Sequence, residues 1–113
     1  MANFYKNKGF NLTTSNLTTV LTVNTSSIAI VKDIQFINDD SSKRLVNFYL
    51  HDSSESTDYH FYHQDVSATF FGRAVTGVLN LEAGDAIKVQ AEAANVVEGV
   101  ISYMQVDRSQ ENG

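Results

Sequence analysis

Cysteine is absent from the chain, and with it go disulfide frameworks, thiolate zinc sites and thiol catalysis. Proline is absent as well. It lacks the N–H that a central ladder needs, so sheets exclude it, but loops usually carry some. A chain without any must turn on Gly, Asn, Asp and Ser. Basic charge is scarce: 8 Lys and Arg stand against 13 Asp and Glu, a formal net charge of −5. This argues against nucleic acid as a partner, because displacing counterions from a phosphate backbone takes a basic face. Lys6 and Lys8 form only a thin local basic patch. No stretch approaches the roughly 20 consecutive apolar residues of a membrane span. Residues 1–12 contain two lysines but no apolar run of the kind a signal peptide needs. The expectation is a soluble protein without membrane insertion, held by burial and β-ladders or by a partner subunit.

What is present favours strands. Seven Phe and five Tyr accompany many Val, Ile and Thr, residues that fit a pleated, half-buried surface. The 113 residues suit one domain, 1–113, and folding at that length buries roughly two thirds of the surface the unfolded chain exposes. Apolar residues recur at every second position between short polar turns. Extended segments are expected over 3–12 and 17–23. Ile28, Ile30, Ile34 and Phe36 are then expected on one face of a longer strand, interrupted by Lys32. Val46, Phe48 and Leu50 form the next inward set, opposite Asn47, Tyr49 and His51.

Tyr59, Phe61 and His63 alternate with His60, Tyr62 and Gln64, a strand aromatic on both faces. One face suits the core and the other a partner. Residues 69–75 and 77–81 follow, and Ile87, Val89 and Ala91 point inward from the next strand. The last strand, 96–106, carries Val97, Ile101 and Tyr103 on one face and Val96, Val100, Met104 and Val106 on the other. Two-sided apolarity in an antiparallel protein implies a central strand or a covered outer face. The stretches NTSS, NDDSSK and 52–56 read as surface turns. A rival helix over the Ala-rich 82–97 is broken by Gly84 and Asp85, and IKVQA within it alternates by two. The chain therefore reads as all-β, a single antiparallel β-sandwich or jelly roll of about eight strands.

Chemistry-bearing patterns are few. His51, His60 and His63 fall within thirteen residues, and neutral imidazole is the commonest metal ligand. However, His60 and His63 are three apart, which on a regular strand sends them to opposite faces. No metal site or cofactor is expected. Serines are plentiful, but none sits in a Gly-x-Ser-x-Gly elbow. The acidic pairs Asp39–Asp40 and Glu55–Asp58 lie in turns, unlike the two carboxyls that a glycosidase sets across a cleft. In LEAGD (81–85), Gly84 is expected at a positive φ, with Asp85 bonding back to the turn. The aromatic group Tyr49, Tyr59, Tyr62, Phe70 and Phe71 is the best binding candidate. Its rings suit a protein interface, a sugar-stacking platform or ordinary cross-strand pairing.

Four segments carry a resemblance: the opening MANFYKNKGFNLTT, the middle strand AIVKDIQFIN, the turn and strand LEAGDAIKV, and the ending EGVISYMQV. Together they resemble a class of small structural proteins of tailed bacteriophages, especially those of marine cyanobacteria. The likeness spans most of the chain and rests on motifs of a fold, not of a site; DYHFYHQ (58–64) departs from it. It implies a non-enzymatic virion protein, made in the host cytoplasm: a capsid decoration or cement protein, or a component of the neck, tail or fibre. Copies would associate with themselves, trimers suiting that use, and with other virion proteins. Val100 and Met104 on the two-sided last strand join the aromatic group as candidate interface residues. The alternative is a carbohydrate-binding or host-attachment module, with surface glycans stacked on Tyr49, Tyr59 or Tyr62.

Overall fold

In a computed structural model, which describes residues 2–108, the period-two pattern becomes nine strands. They are β1 (Ala2–Asn11), β2 (Thr18–Thr22), β3 (Ser27–Asn38), β4 (Arg44–Asp52), β5 (Thr57–Val66), β6 (Phe71–Val75), β7 (Leu79–Leu81), β8 (Ala86–Ala91) and β9 (Val97–Asp107). No helix occurs among the described residues, and β8 occupies the middle of the rival helical stretch.

Two antiparallel sheets form, one in the order β1-β9-β3-β6 with β7 also on β3, the other β2-β8-β4-β5. β6 and β7 lie end to end along β3, with Val75 opposite Ile34 and Leu79 opposite Val31. Together they fill one strand position that the turn at 76–78 interrupts. Counted so, the chain has the eight positions of a jelly roll, in which successive strands pass between two packed sheets except at the β4–β5 hairpin. β9 lies between β1 and β3, the central place its two apolar faces imply. β1 pairs with β9 of its own chain without a break, from Ala2 opposite Asp107 to Asn11 opposite Glu98.

The core closes around Phe48, which is fully buried on β4. Its ring meets Phe10, Phe36, Phe61 and Tyr62 at centroid distances of 6.4, 5.2, 6.3 and 6.2 Å. Contacts of this kind add about 0.5–1.5 kcal/mol each beyond the area they bury. Val31, Ile34 and Ile101 from one sheet and Val46, Ile87 and Val89 from the other complete the layer.

One irregularity corrects the expected faces of β3. Its register with β9 shifts between Val31 and Asp33, which leaves Lys32 as the extra residue. A bulge of one residue reverses the alternation beyond it. Ala29 and Val31 are therefore buried before the bulge, Ile34 and Phe36 after it. Ile28 and Ile30 do not share the face of Ile34 and Phe36; they are half-buried on the outward side.

Turns without proline close on short polar side chains. Asn24 Oδ1 accepts the Ser26 N–H at 3.0 Å, Asn38 Oδ1 that of Asp40 at 3.0 Å, and Asp52 Oδ1 that of Ser54 at 2.9 Å. These are the local bonds that make Asn and Asp turn formers. Gly84 has φ +84°, as the LEAGD turn requires.

Candidate interaction surfaces

Alternate residues of every strand face away from the core, so the register decides which of them meet. On the β1-β9-β3-β6 sheet, Gly9, Val100, Gln35 and Arg73 fall in one outward row. Asn11, Glu98, Ile37 and Phe71 fall in the next. Between the rows lies a groove of about 600 Å³, lined by Gly9, Gln35, Ile37, Phe71 and Val100 among others. Gly9 supplies no side chain to its floor. Phe71 is 60% exposed, and Phe70, 50% exposed, leans on it with ring centroids 4.8 Å apart.

Farther along this face Asp33 pairs with Arg73 at 3.3 Å and accepts a bond from Gln35. Beyond that polar belt Tyr5, Met104 and Ile30 share a row, Tyr5 being 82% exposed. The structure thus brings the candidates Phe70, Phe71 and Val100 together. Met104 lies on the same face at its other end.

The outward face of the second sheet carries the histidines. The ring of Tyr49 stacks on His60 at 4.7 Å and 24°, and His60 stacks on His63 at 5.9 Å and 20°. This corrects the expectation that His60 and His63 point to opposite faces. The register steps from Phe48 opposite Tyr62 to Tyr49 opposite His60, so Phe61 is a bulge residue and restores a common side. Beside this stack, Asp58 lies 2.6 Å from His51 Nδ1 and 3.1 Å from Lys88 Nζ. The bond from His51, then that from Lys88, holds the Asp58 carboxyl below its usual range. Imidazole lone pairs lie in the ring plane, and nearly parallel rings do not aim them at one point. No group of three or more metal-ligating side chains occurs among the described residues.

The remaining tyrosines divide. Tyr59 is 47% exposed and donates its hydroxyl to Glu55 Oε1 at 2.6 Å, a bond that raises the phenol pKa. Tyr62, expected to face outward, turns inward instead. It packs edge-on against Phe36 and Phe48 and donates to Gln64, and burial raises its pKa. The bulge at Phe61 is again the cause.

Two buried polar residues hold the loops around these faces. Asp85 accepts the N–H of Glu82 at 2.9 Å and that of Ser53 at 3.0 Å, spending its carboxylate on turn structure. Asn38, fully buried at the end of β3, donates to the carbonyls of Ser42 at 2.9 Å and Val66 at 3.0 Å. Sequence reasoning missed Asn38, reading NDDSSK as plain surface turn. The one signal was its place two residues after Phe36 on the inward phase.

No protein family matches the chain, and no curated protein matches it. Solved structures do share its fold. A chain of the acidic stable capsid of Helicobacter pylori bacteriophage KHP30 is similar over 93% of this chain and 87% of its own, with 13% identity and a TM-score of 0.59. The Drosophila NLP-core, studied for pentamer formation and histone binding, matches over 90% of this chain and 99% of its own, with 11% identity and a TM-score of 0.53. A chain of the Bacillus endospore appendages, described as disulfide-linked pili, matches over 96% and 88%, with 11% identity and a TM-score of 0.52. At such identities the likeness is one of fold alone.

Proposed function

We propose that this chain is a non-enzymatic structural protein of a bacteriophage virion, a decoration or cement component of the capsid in preference to a part of the neck, tail or fibre. It works by associating with copies of itself and docking onto other virion proteins. The observation that carries this reading is the outward face of the β1-β9-β3-β6 sheet, where Ile37, Phe71 and Val100 line an open apolar groove. Open apolar surface of this kind is characteristic of protein contacts. The jelly-roll fold shared with a chain of a phage capsid supports a place in the shell, as does the resemblance of its opening, turn and closing motifs to small phage structural proteins.

The glycan-binding alternative finds less support. A sugar stacks on an open ring face, but Tyr49 and His60 cover one another's faces. Tyr59 is the one tyrosine among the candidates with a largely exposed ring, and it pairs with Leu50 on the core-facing phase of β5, near the strand end, away from the Tyr49–His60 face.

Three experiments test the proposal. Mass determination in solution should show an assembly larger than one chain; a monomer at every concentration overturns self-association. Sequencing the genes on either side should reveal capsid genes. Metabolic genes on both sides would overturn the virion assignment. Phe71→Arg should leave the fold intact, since the ring is exposed, and abolish incorporation into particles.

A further inference from the structure

Each sheet has two edges, and β1 in one and β5 in the other are the longer edge strands. β1 bonds to β9 alone, and β5 bonds to β4 alone. Both have ten residues. An unpaired edge presents a row of backbone donors and acceptors to any strand that can approach, and proteins usually blunt long edges with proline, bulges or charge. β1 has neither proline nor a break in its register, and residues 3–9 are all exposed. What it does have is charge of one sign. Lys6 and Lys8 share a phase of the strand, no acidic residue lies within it, and neither lysine makes an ion pair among the described residues. Lys6 rests over the ring of Phe4, 5.9 Å from its centroid. Lys8 lines a cleft of about 360 Å³ between β1 and β2, with Thr19, Leu21, Thr22 and Tyr103.

The opposite edge has the complementary charge. β5 contains Asp58 and Asp65 and no Lys or Arg. Asp58 is already tied to His51 and Lys88, but Asp65 is exposed and makes no ion pair among the described residues. β1 lies beside β2 and β5 beside β6, so the basic and acidic edges occupy opposite flanks of the sandwich. Pairing β1 with another β1 would set the lysines against lysines, and like charges opposite one another are destabilising. A symmetric dimer through that edge is disfavoured.

We infer that the β1 edge of one copy receives the acidic β5 edge of a second copy, with Lys6 and Lys8 meeting its carboxylates and the cleft beside Lys8 taking the Asp65 side. This deepens the self-association proposed above and rests on it. The contact joins two different patches, so it is head-to-tail and generates a closed ring or an open filament instead of a two-fold dimer.

Light scattering coupled to size-exclusion chromatography of the full chain tests it. Wild-type protein should elute as a multimer. The double variant Lys6→Glu/Lys8→Glu should fall to the mass of one chain, and Asp65→Lys should do the same. Mixed in equal amounts, the two variants should regain larger species, because each supplies the edge that the other has lost. Circular dichroism verifies the strand content of each. Wild-type multimers whose mass neither variant changes would overturn the β1–β5 contact and leave self-association standing. Monomeric variants that fail to recombine would overturn its head-to-tail geometry. A wild-type monomer would overturn self-association itself.

Discussion

Asp85 and Ser53, thirty-two positions apart, join two turns at one end of the sandwich: the carboxylate accepts the Ser53 N–H at 3.0 Å and its hydroxyl at 3.2 Å. The same side chain closes its own turn through the Glu82 N–H at 2.9 Å. Asp85 is only 5% exposed, so water cannot easily replace it. Ser53 and Glu82 are themselves exposed and the bonds are partly shielded, and losing the charged acceptor that both share costs about 1–3 kcal/mol. Asp85→Ala should therefore lower the urea midpoint by that much free energy at an unchanged slope. A loss below about 0.5 kcal/mol, the scatter of ordinary surface substitutions, would mean that the two turns do not depend on this link.

Asp58 gives a pH dependence whose sign is fixed. The bonds from His51 and Lys88 lower its folded pKa below the ordinary 3.8. A carboxyl that ionises more readily in the folded state adds stability at pH above its unfolded pKa, and that contribution fades as pH falls through the folded value. The site is solvated, so the contribution is small. Melting temperatures of wild type and Asp58→Asn should differ at pH above the unfolded value and converge in stronger acid, where the carboxyl is protonated in both states. A gap that persists undiminished in strong acid contradicts the assigned partners.

The fold was legible because burial at every second residue is written into the sequence. Val46 and Phe48, or Ile87 and Val89, can be assigned to the core from alternation alone, and all four are fully buried. Bulges are not legible in the same way. Lys32 and Phe61 each add one residue to a strand, and neither is a glycine that would mark the place. The cost of missing them is a reversed face for everything beyond, which is why Ile28, Ile30, Tyr62 and His63 were misplaced. Candidate surface residues keep or lose the face expected of them according to their distance from a bulge. Phe71 and Val100 meet across two regular pairings, whereas Tyr62 stands directly after Phe61 and turns into the core.

Two glycines should respond to alanine with opposite signs. At Gly99 on β9, a Cβ would lie 2.4 Å from the carbonyl oxygen of Gln35 and 2.6 Å from Cζ of Phe10. The ring of Phe10 can give way, but the carbonyl belongs to the adjacent strand, whose ladder places Gln35 opposite Val100 and Phe36 opposite Gly99. Moving it strains the central pair of the sheet, and overpacking of this kind costs about 1–3 kcal/mol. At Gly77, between β6 and β7, nothing lies within 4 Å of the Cβ position, and φ is outside the left-handed region. Alanine there meets no obstacle and restricts the unfolded chain, a gain of about 0.4–1 kcal/mol. Urea midpoints should fall for Gly99→Ala and rise for Gly77→Ala. A neutral Gly99→Ala would show that β3 and β9 can separate locally without loss, and so that the central pair is looser than its register implies.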